Sequence, residues 1–345
     1  HLMAAISTSD EDRSGLSLPT TSPRFEFLGI QRSLTTSQDN SKTLSIYAQA
    51  DYHDADFGNL SFNFSYQDFE RTGNFQPDSE PLMGAVIAYT NAMGNLKFNH
   101  QVSEKWGLNL TLTINRGKAG DRTRQYDPFR FEVDSINRDY RSTQYSSAFE
   151  VNYHHSEDLE FVAGTDYMFD EEHLPTLKLF MEDGSVEEKN AGRYAEIDNW
   201  GVFGQVAWQA SRSTNVIAGL RVDDHSIFGQ QTNYRSGIVY QYSKDTRIKF
   251  LVGSSFKAPS VMLMFGGEHP RLLGPLPNSG LQPQENVTTE LFIGSQLDEH
   301  MQIGFTLYDT QIKKFAEYDT LASNPQAKNR GKIASFGAEL ELKYR

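Results

Sequence analysis

Asp223, Asp224 and His225 set two carboxylates beside an imidazole, the combination from which a general base is built. The competing reading is an exposed loop cluster at the exit of a strand over Val216–Val222. A second acidic group runs through Asp166, Asp170, Glu171 and Glu172, then Glu182, Asp183, Glu187 and Glu188. Carboxylate oxygens of this kind coordinate Ca²⁺, but the spacing lacks the Asp-x-Asp-x-Asp-Gly regularity of a dedicated loop, and charged loops are usually just solvated. His154 and His155 point to opposite faces of any strand that carries them, so they cannot ligate one ion together. The last group is basic and aromatic. Arg116, Arg122, Arg124, Arg130 and Arg138, with Tyr126, Phe129 and Tyr140, make Gly117–Ser142 a segment that draws anions. Guanidinium forks suit carboxylates and catecholates, so Arg122, Arg124, Tyr126, Phe129 and Arg130 are the candidate binding residues for a small anionic ligand, a ferric chelate being one such.

The composition narrows what can hold these groups. In 345 residues there are 32 basic and 45 acidic side chains, a formal charge of −13, which argues against a nucleic-acid partner. With no cysteine there is no disulfide framework, thiolate metal site or cysteine nucleophile. No cofactor or resident metal is called for. No apolar run approaches the ~18 residues of a membrane helix; Val261–Phe265 is the longest of interest. A membrane β-barrel stays open, because half of each strand is polar.

Period two dominates the chain. Trp106, Leu108, Leu110, Leu112 and Ile114 fall on one parity; Gly107, Asn109, Thr111, Thr113 and Asn115 fall on the other. Successive strand side chains point to opposite faces, so the segment has one apolar face and one small polar face. Leu60–Gln67, Leu159–Phe169, Val287–Leu297 and Met301–Leu307 repeat the pattern. Short polar turns join the runs in pairs, as at Ser103–Lys105, Ser156–Asp158 and Ser243–Asp245. Much longer polar segments lie between the pairs: Gly117–Ser142, Asp170–Ala195 and Lys257–Gln284. About fourteen runs of roughly 10 to 13 residues are long enough to cross a bilayer at a tilt, whereas the strands of a soluble sandwich average ~5–6. Tyr145 and Tyr153, and Trp200 and Trp208, sit near the two ends of apolar faces, where amphipathic rings meet headgroups. Glu150, Asp166, Gln205, Arg221, Glu290 and Glu341 fall on the parity that would face the bore.

These features predict an all-β fold, an antiparallel transmembrane β-barrel with short periplasmic turns and long extracellular loops. Residues 1–23, rich in Ser, Thr, Asp and Pro, read as a disordered or loop lead-in, and 24–345 as the barrel segment. The alternating run Phe336–Tyr344 stops at Arg345, which suggests a piece of a longer barrel.

Asn199–Gly229 resembles a strand pair in the barrels of TonB-dependent outer-membrane receptors. Tyr234–Pro259 (YRSGIVYQYSKDTRIKFLVGSSFKAP), Leu281–Glu285 with Thr289–Leu291, Phe305–Ile312 (FTLYDTQI) and Asn329–Glu341 follow in that family's order and approximate spacing. Before Asn199 the likeness is in barrel texture alone, and Lys257 stands before Ala258-Pro259 where the family often has arginine. The resemblance implies a barrel of about twenty-two strands, of which this chain supplies about fourteen, roughly the third through sixteenth. It further implies a ligand-gated importer in the outer membrane of a Gram-negative bacterium, not an enzyme. The cargo would be a scarce nutrient such as a ferric siderophore, haem, cobalamin or oligosaccharide, and the partners the TonB complex, reached through a plug domain absent here, with lipid and lipopolysaccharide. Lipopolysaccharide phosphates would recruit the same basic residues as an anionic cargo. The alternative is a self-contained passive channel or barrel enzyme.

Overall fold

Alternation along the chain resolves into one very large antiparallel sheet. The computed structural model describes residues 1–12, 17–18, 34–35, 40–73, 85–119, 122–126, 133–189, 194–266, 276–318 and 326–344. In chain order the strands are β1 (Leu2–Asp12), β2 (Ser17–Leu18), β3 (Leu34–Thr35), β4 (Asn40–Asp54), β5 (Gly58–Gly73), β6 (Ala85–Gln101), β7 (Trp106–Ala119), β8 (Arg124–Tyr126) and β9 (Val133–Ser156). They continue as β10 (Leu159–Met181), β11 (Val186–Lys189), β12 (Tyr194–Ser211), β13 (Thr214–His225), β14 (Gly229–Gln241), β15 (Thr246–Lys257), β16 (Gln284–Gln296), β17 (Met301–Tyr318) and β18 (Ala327–Tyr344). One helical turn, α1 (Val261–Phe265), lies between β15 and β16. Fourteen strands form a meander in the order β1-β4-β5-β6-β7-β9-β10-β12-β13-β14-β15-β16-β17-β18, so every neighbour is also the next long strand. The small strands β8 and β11 extend this sheet at one end, and β2 and β3 pair separately.

The face assignment is visible across strands. On one face Leu110 sits opposite Phe98 and Phe149, and Phe250 opposite Ile238 and Leu291. Phe62, Phe149, Phe161, Val202, Leu220 and Phe305 on this face are all exposed, as a lipid-contacting skin must be. The other face carries Asn, Gln, Ser, Thr and paired charges. Tyr153 to Tyr145 spans about 26 Å along β9, close to the height of an apolar bilayer band. Trp106 against Tyr153, with ring centroids 4.4 Å apart, marks its periplasmic girdle; Tyr167 against Trp200 at 4.6 Å marks the extracellular one. No helix among the described residues is long and apolar enough to cross a membrane; the strands cross it.

Three expectations change. Leu2–Asp12, read from composition as lead-in, is β1, paired residue for residue with β4 from Leu2↔Ala50 to Asp12↔Asn40. Much of Gly117–Ser142 and Asp170–Ala195, read as loops, is strand: β9 and β10 run 24 and 23 residues and carry their hairpin far above the girdle. Asp223 and His225 are not loop residues but the buried end of β13, 2% and 6% exposed.

Candidate functional site

At the long-loop end, the polar face of β9, β10, β12 and β13 carries a linked set of charges. Asp166, Gly201 and Asp223 lie side by side across three strands, and Arg221 is two residues from Asp223 on the same face. Its guanidinium bridges the two acids: Nη1 and Nη2 donate to Asp166 at 2.6 and 2.9 Å, and Nε and Nη2 to Asp223 at 2.9 and 2.6 Å. Glycine between the acids leaves room for the bridge, since a Cβ on Gly201 would stand 2.7 Å from Arg221 Cζ and displace the guanidinium. Asn199 Nδ2 donates to Asp223 at 3.0 Å, and His225 Nδ1 accepts the Ile227 N–H at 3.1 Å. Both Asp223 and His225 are therefore committed to holding the wall, and neither is placed as a general base.

One step further out, Tyr140 donates its hydroxyl to Glu172 Oε2 at 3.0 Å. These groups sit beyond the Tyr145–Phe169 level, outside the membrane-spanning part. Burial pushes the Glu172 carboxyl above its ordinary range; the Tyr140 hydrogen bond opposes this and the charge of Asp170 adds to it. Burial, with the nearby Glu172 charge, likewise pushes the Tyr140 phenol up.

A cap rests on this wall. Pro259 cannot continue the ladder, so β15 ends at Lys257 and α1 starts after Ser260. Val261 packs against Leu174, Ala195 and Ile197, with Met262, Phe265 and Ile227 around them. Met264 clusters with Leu281 and Ala327, and Phe228 and Ala316 pack against this group. Asparagine side chains then tie the connections together. Asn278 donates to Ala327 O at 2.8 Å and its N–H to Leu263 O at 2.9 Å; Asn329 donates to Gln282 O at 2.9 Å and Lys314 O at 2.7 Å and accepts the Gln282 N–H at 2.7 Å. The sequence signal for this cap is slight: a five-residue apolar run after proline.

The basic candidates are not brought together as one site. Arg122 pairs with Asp68 at 2.5 Å and Glu70 at 2.9 Å, acids that share the parity of the lipid-facing Leu60–Tyr66 row. Arg124 lies on β8 with its Cζ 4.0 Å above the Phe180 ring, and Tyr126 ends that strand. Phe129 and Arg130 lie outside the described residues. Arg116 falls on β7, facing away from the bore. The acidic stretch is also dispersed: Asp166 belongs to Arg221, Asp183 accepts Ser185 N–H and Oγ–H in a turn, and Glu187 and Glu188 lie on β11. Among the described residues no three His, Asp or Glu converge to hold a metal. His154 lies 3.9 Å from Glu160 while His155 meets the Tyr153 ring, on opposite faces as expected.

Apolar skin, aromatic girdles, polar inner wall and a folded cap define part of an outer-membrane β-barrel, a fourteen-stranded sheet whose end strands β1 and β18 do not pair with each other. The profile of the family described as "TonB dependent receptor-like, beta-barrel" matches residues 12–345, and the chain belongs to that family. The family is one of receptors and transporters rather than enzymes, and it places the chain in the outer membrane of a Gram-negative bacterium. The vitamin B12 transporter BtuB of Vibrio cholerae serotype O1 is 27% identical over 227 residues, 65% of this chain and 32% of that one, so the chain spans about a third of this relative's length. Among solved structures, the copper transporter OprC superposes with a TM-score of 0.74 at 14% identity, covering 99% of this chain and 54% of that one. The siderophore receptor PiuA from Acinetobacter baumannii gives 0.66 at 12% identity, covering 99% and 57%. At such identities these two establish the fold alone.

Proposed function

We propose that the chain forms the wall and much of the extracellular mouth of a TonB-dependent importer, which captures a scarce nutrient outside and passes it through the bore. The observation that carries this reading is the cap. Described parts of the β15–β16 connection pack on Leu174, Ala195 and Ile197 and on the Ile227–Phe228 turn instead of standing away from the wall, which gives the mouth an interior for a ligand to contact. The BtuB relative supports the class of activity, being a vitamin B12 transporter. Energy would come from the TonB complex through a plug domain. The candidate cargo is a ferric siderophore, haem, cobalamin or an oligosaccharide. The segment carrying Arg122, Arg124, Tyr126, Phe129 and Arg130 is proposed to help capture it.

The test is calorimetric titration of the intact receptor with ferric catecholate, haem, cobalamin and maltooligosaccharide. One of these binds at micromolar or better. For a ferric catecholate, Arg124→Ala with Arg130→Ala weakens binding at least ten-fold, each lost charge-assisted contact being worth a large part of that. No binding of any of the four, with unimpaired growth of a deletion strain on each as sole source, overturns the importer reading.

A further inference from the structure

The cap meets the wall at β10 and β12 and also at one short turn. Ile227 packs against the group of Leu174, Ala195, Ile197 and Val261, and with Phe228 against the group of Met264, Leu281 and Ala327. Both residues belong to the turn between β13 and β14, so the position of that turn sets where α1 can rest. His225 fixes the turn. Its Nδ1 accepts the Ile227 N–H at 3.1 Å, and its ring centroid lies 4.7 Å from that of Phe228. An Asn or Asp side chain makes the same contact to the backbone two residues on, but here an imidazole makes it. The difference matters because a backbone N–H can only donate. Nδ1 must therefore carry no proton, and the ring is neutral with its hydrogen on Nε2. A second proton would go to Nδ1, and two donors would then face each other.

The ring is buried at the outer end of β13. The charges that act on it among the described residues are those of Asp198 on β12 and Asp223 on its own strand. Asp223 is bridged by Arg221 to Asp166 on β10 and accepts from Asn199, the residue paired with His225. Asp198 holds the same turn through its backbone: its O accepts the Ser226 N–H at 2.9 Å, and its N–H donates to Ser226 Oγ at 3.0 Å. From β14 come Gly229 and Gln231, and α1 is Val-Met-Leu-Met-Phe, none of them charged. Protonation thus sets an imidazolium near the Asp198 carboxylate and costs the turn its bond to Ile227.

We propose that His225 is a proton-operated latch on the cap, closed while the imidazole is neutral and released when it gains a proton. Closed, it holds Ile227 and Phe228 against the two apolar groups that seat α1. That contribution is present above the pH at which the ring titrates and is lost as pH falls through it. The latch lies at the long-loop end of the wall, so the acidity it reads is that of the external medium. The inference rests on the cap and not on which nutrient is imported, so it stands or falls apart from the importer reading.

The experiment is hydrogen exchange read by mass spectrometry on the intact receptor in detergent micelles, at about pH 7.5 and about pH 5, either side of the ordinary imidazole value. Rates are expressed as protection factors, which remove the intrinsic dependence of exchange on pH. Heat-modified gel mobility reports that each variant is a folded barrel. In the wild type, protection at Ile227–Gly229 and at Leu263–Gly266 falls on the order of ten-fold at the lower pH, the scale of a lost hydrogen bond with its donor left unpaired. The periplasmic turn Tyr242–Thr246 does not change. His225→Asn keeps an acceptor for the Ile227 N–H and cannot titrate, so its protection stays high at both pH values. His225→Phe keeps a ring against Phe228 without an acceptor, so its protection is low at both. Equal wild-type protection at the two pH values overturns the proposal, and that result needs no variant to fold. A fall that persists in His225→Asn overturns it too, since another group would then be titrating. So does a fall at the turn with none in α1, or full protection in folded His225→Phe.

Discussion

Leu110 and Thr111 are neighbours in sequence and face different media. Leu110 lies midway between Trp106 and Ile114 on the lipid face, opposite Phe98 and Phe149, while Thr111 lies opposite Lys97 and Ala148 on the bore face. An arginine on the lipid face near the midplane costs ~2–4 kcal/mol, whereas one in the bore stays hydrated. Leu110→Arg is therefore expected to lower the yield of folded receptor in outer membranes severely, and Thr111→Arg to leave it near wild type; equal yields would reverse the face assignment. A second residue-scale consequence concerns Glu172. A carboxyl whose pKa is raised on folding stabilises the fold most below its ordinary value, and that contribution is lost as pH rises through the raised value. Glu172→Gln removes the cost of a buried charge and keeps an acceptor for Tyr140. The variant should melt higher than wild type at neutral pH, and the gap should close as pH falls toward about 4.5, the ordinary value for this group. A gap that stays constant across that range would show that Glu172 is not the titrating group.

At the scale of elements, three periplasmic turns share one device that the sequence carries openly. Gln101, Gln241 and Gln296 each close their strand and donate Nε2 to the carbonyl two residues on, at 2.7, 2.7 and 2.6 Å, within the repeats QVSEK, QYSKD and QLDEH. The Ser or Asp after the next residue then accepts backbone N–H groups of the turn, as Ser243 Oγ does from Thr246 at 3.1 Å. Gln241→Leu removes donations to Ser243 O and Thr246 O and should speed amide exchange at Tyr242–Thr246 several-fold, a net hydrogen bond being worth ~1 kcal/mol. The melting temperature should hold within a degree or two, because the strands themselves are untouched; exchange rates equal to wild type would show the glutamine is idle. What the sequence hid follows from the same physics. Alternation marks a strand only where its two faces meet different solvents, so β4–β7 and β12–β17 were legible across the bilayer. Above the girdle the outer face of β9 and β10 no longer meets lipid and the inner face is partly covered by the cap, as at Leu174, so their extensions lose the pattern while keeping the pairing. β1 was masked in the same way by its Ser, Thr and Asp content. Gly331 lies opposite the register shift near Phe315, where Lys314 has φ of 55°. Gly337 instead makes room for the Tyr308 ring within unbroken register. For the candidate site, residue type was readable and facing was not: Arg122 shares a basic segment with Arg124, yet its partners are decided by strand parity and by acids fifty residues away.

The whole molecule joins a wall held by backbone ladders to a cap held by a few side chains. The cap's apolar contacts, Val261 on Leu174 and Ile197 and Met264 on Leu281 and Ala327, are small beside the wall, so its position depends on the polar ties as well. Asn329 is the densest of these. It stands on β18, donates to carbonyls on the β15–β16 connection and on β17, and accepts an N–H from the former. Asn329→Ala breaks all three bonds at once while removing nothing from the sheet pairing, in which the residue takes part through its backbone opposite Ala316. The expected result is a receptor of unchanged melting temperature whose 276–283 connection is cut by protease several-fold faster, since cleavage of a segment that opens reversibly follows its open population. Asn278→Ala, which breaks the tie to Ala327 O, should act in the same direction, and the two substitutions should couple because they anchor one segment to one strand. If the double variant is no more sensitive to protease than the wild type, the cap is held by α1 alone. The polar ties would then have no part in keeping the mouth covered.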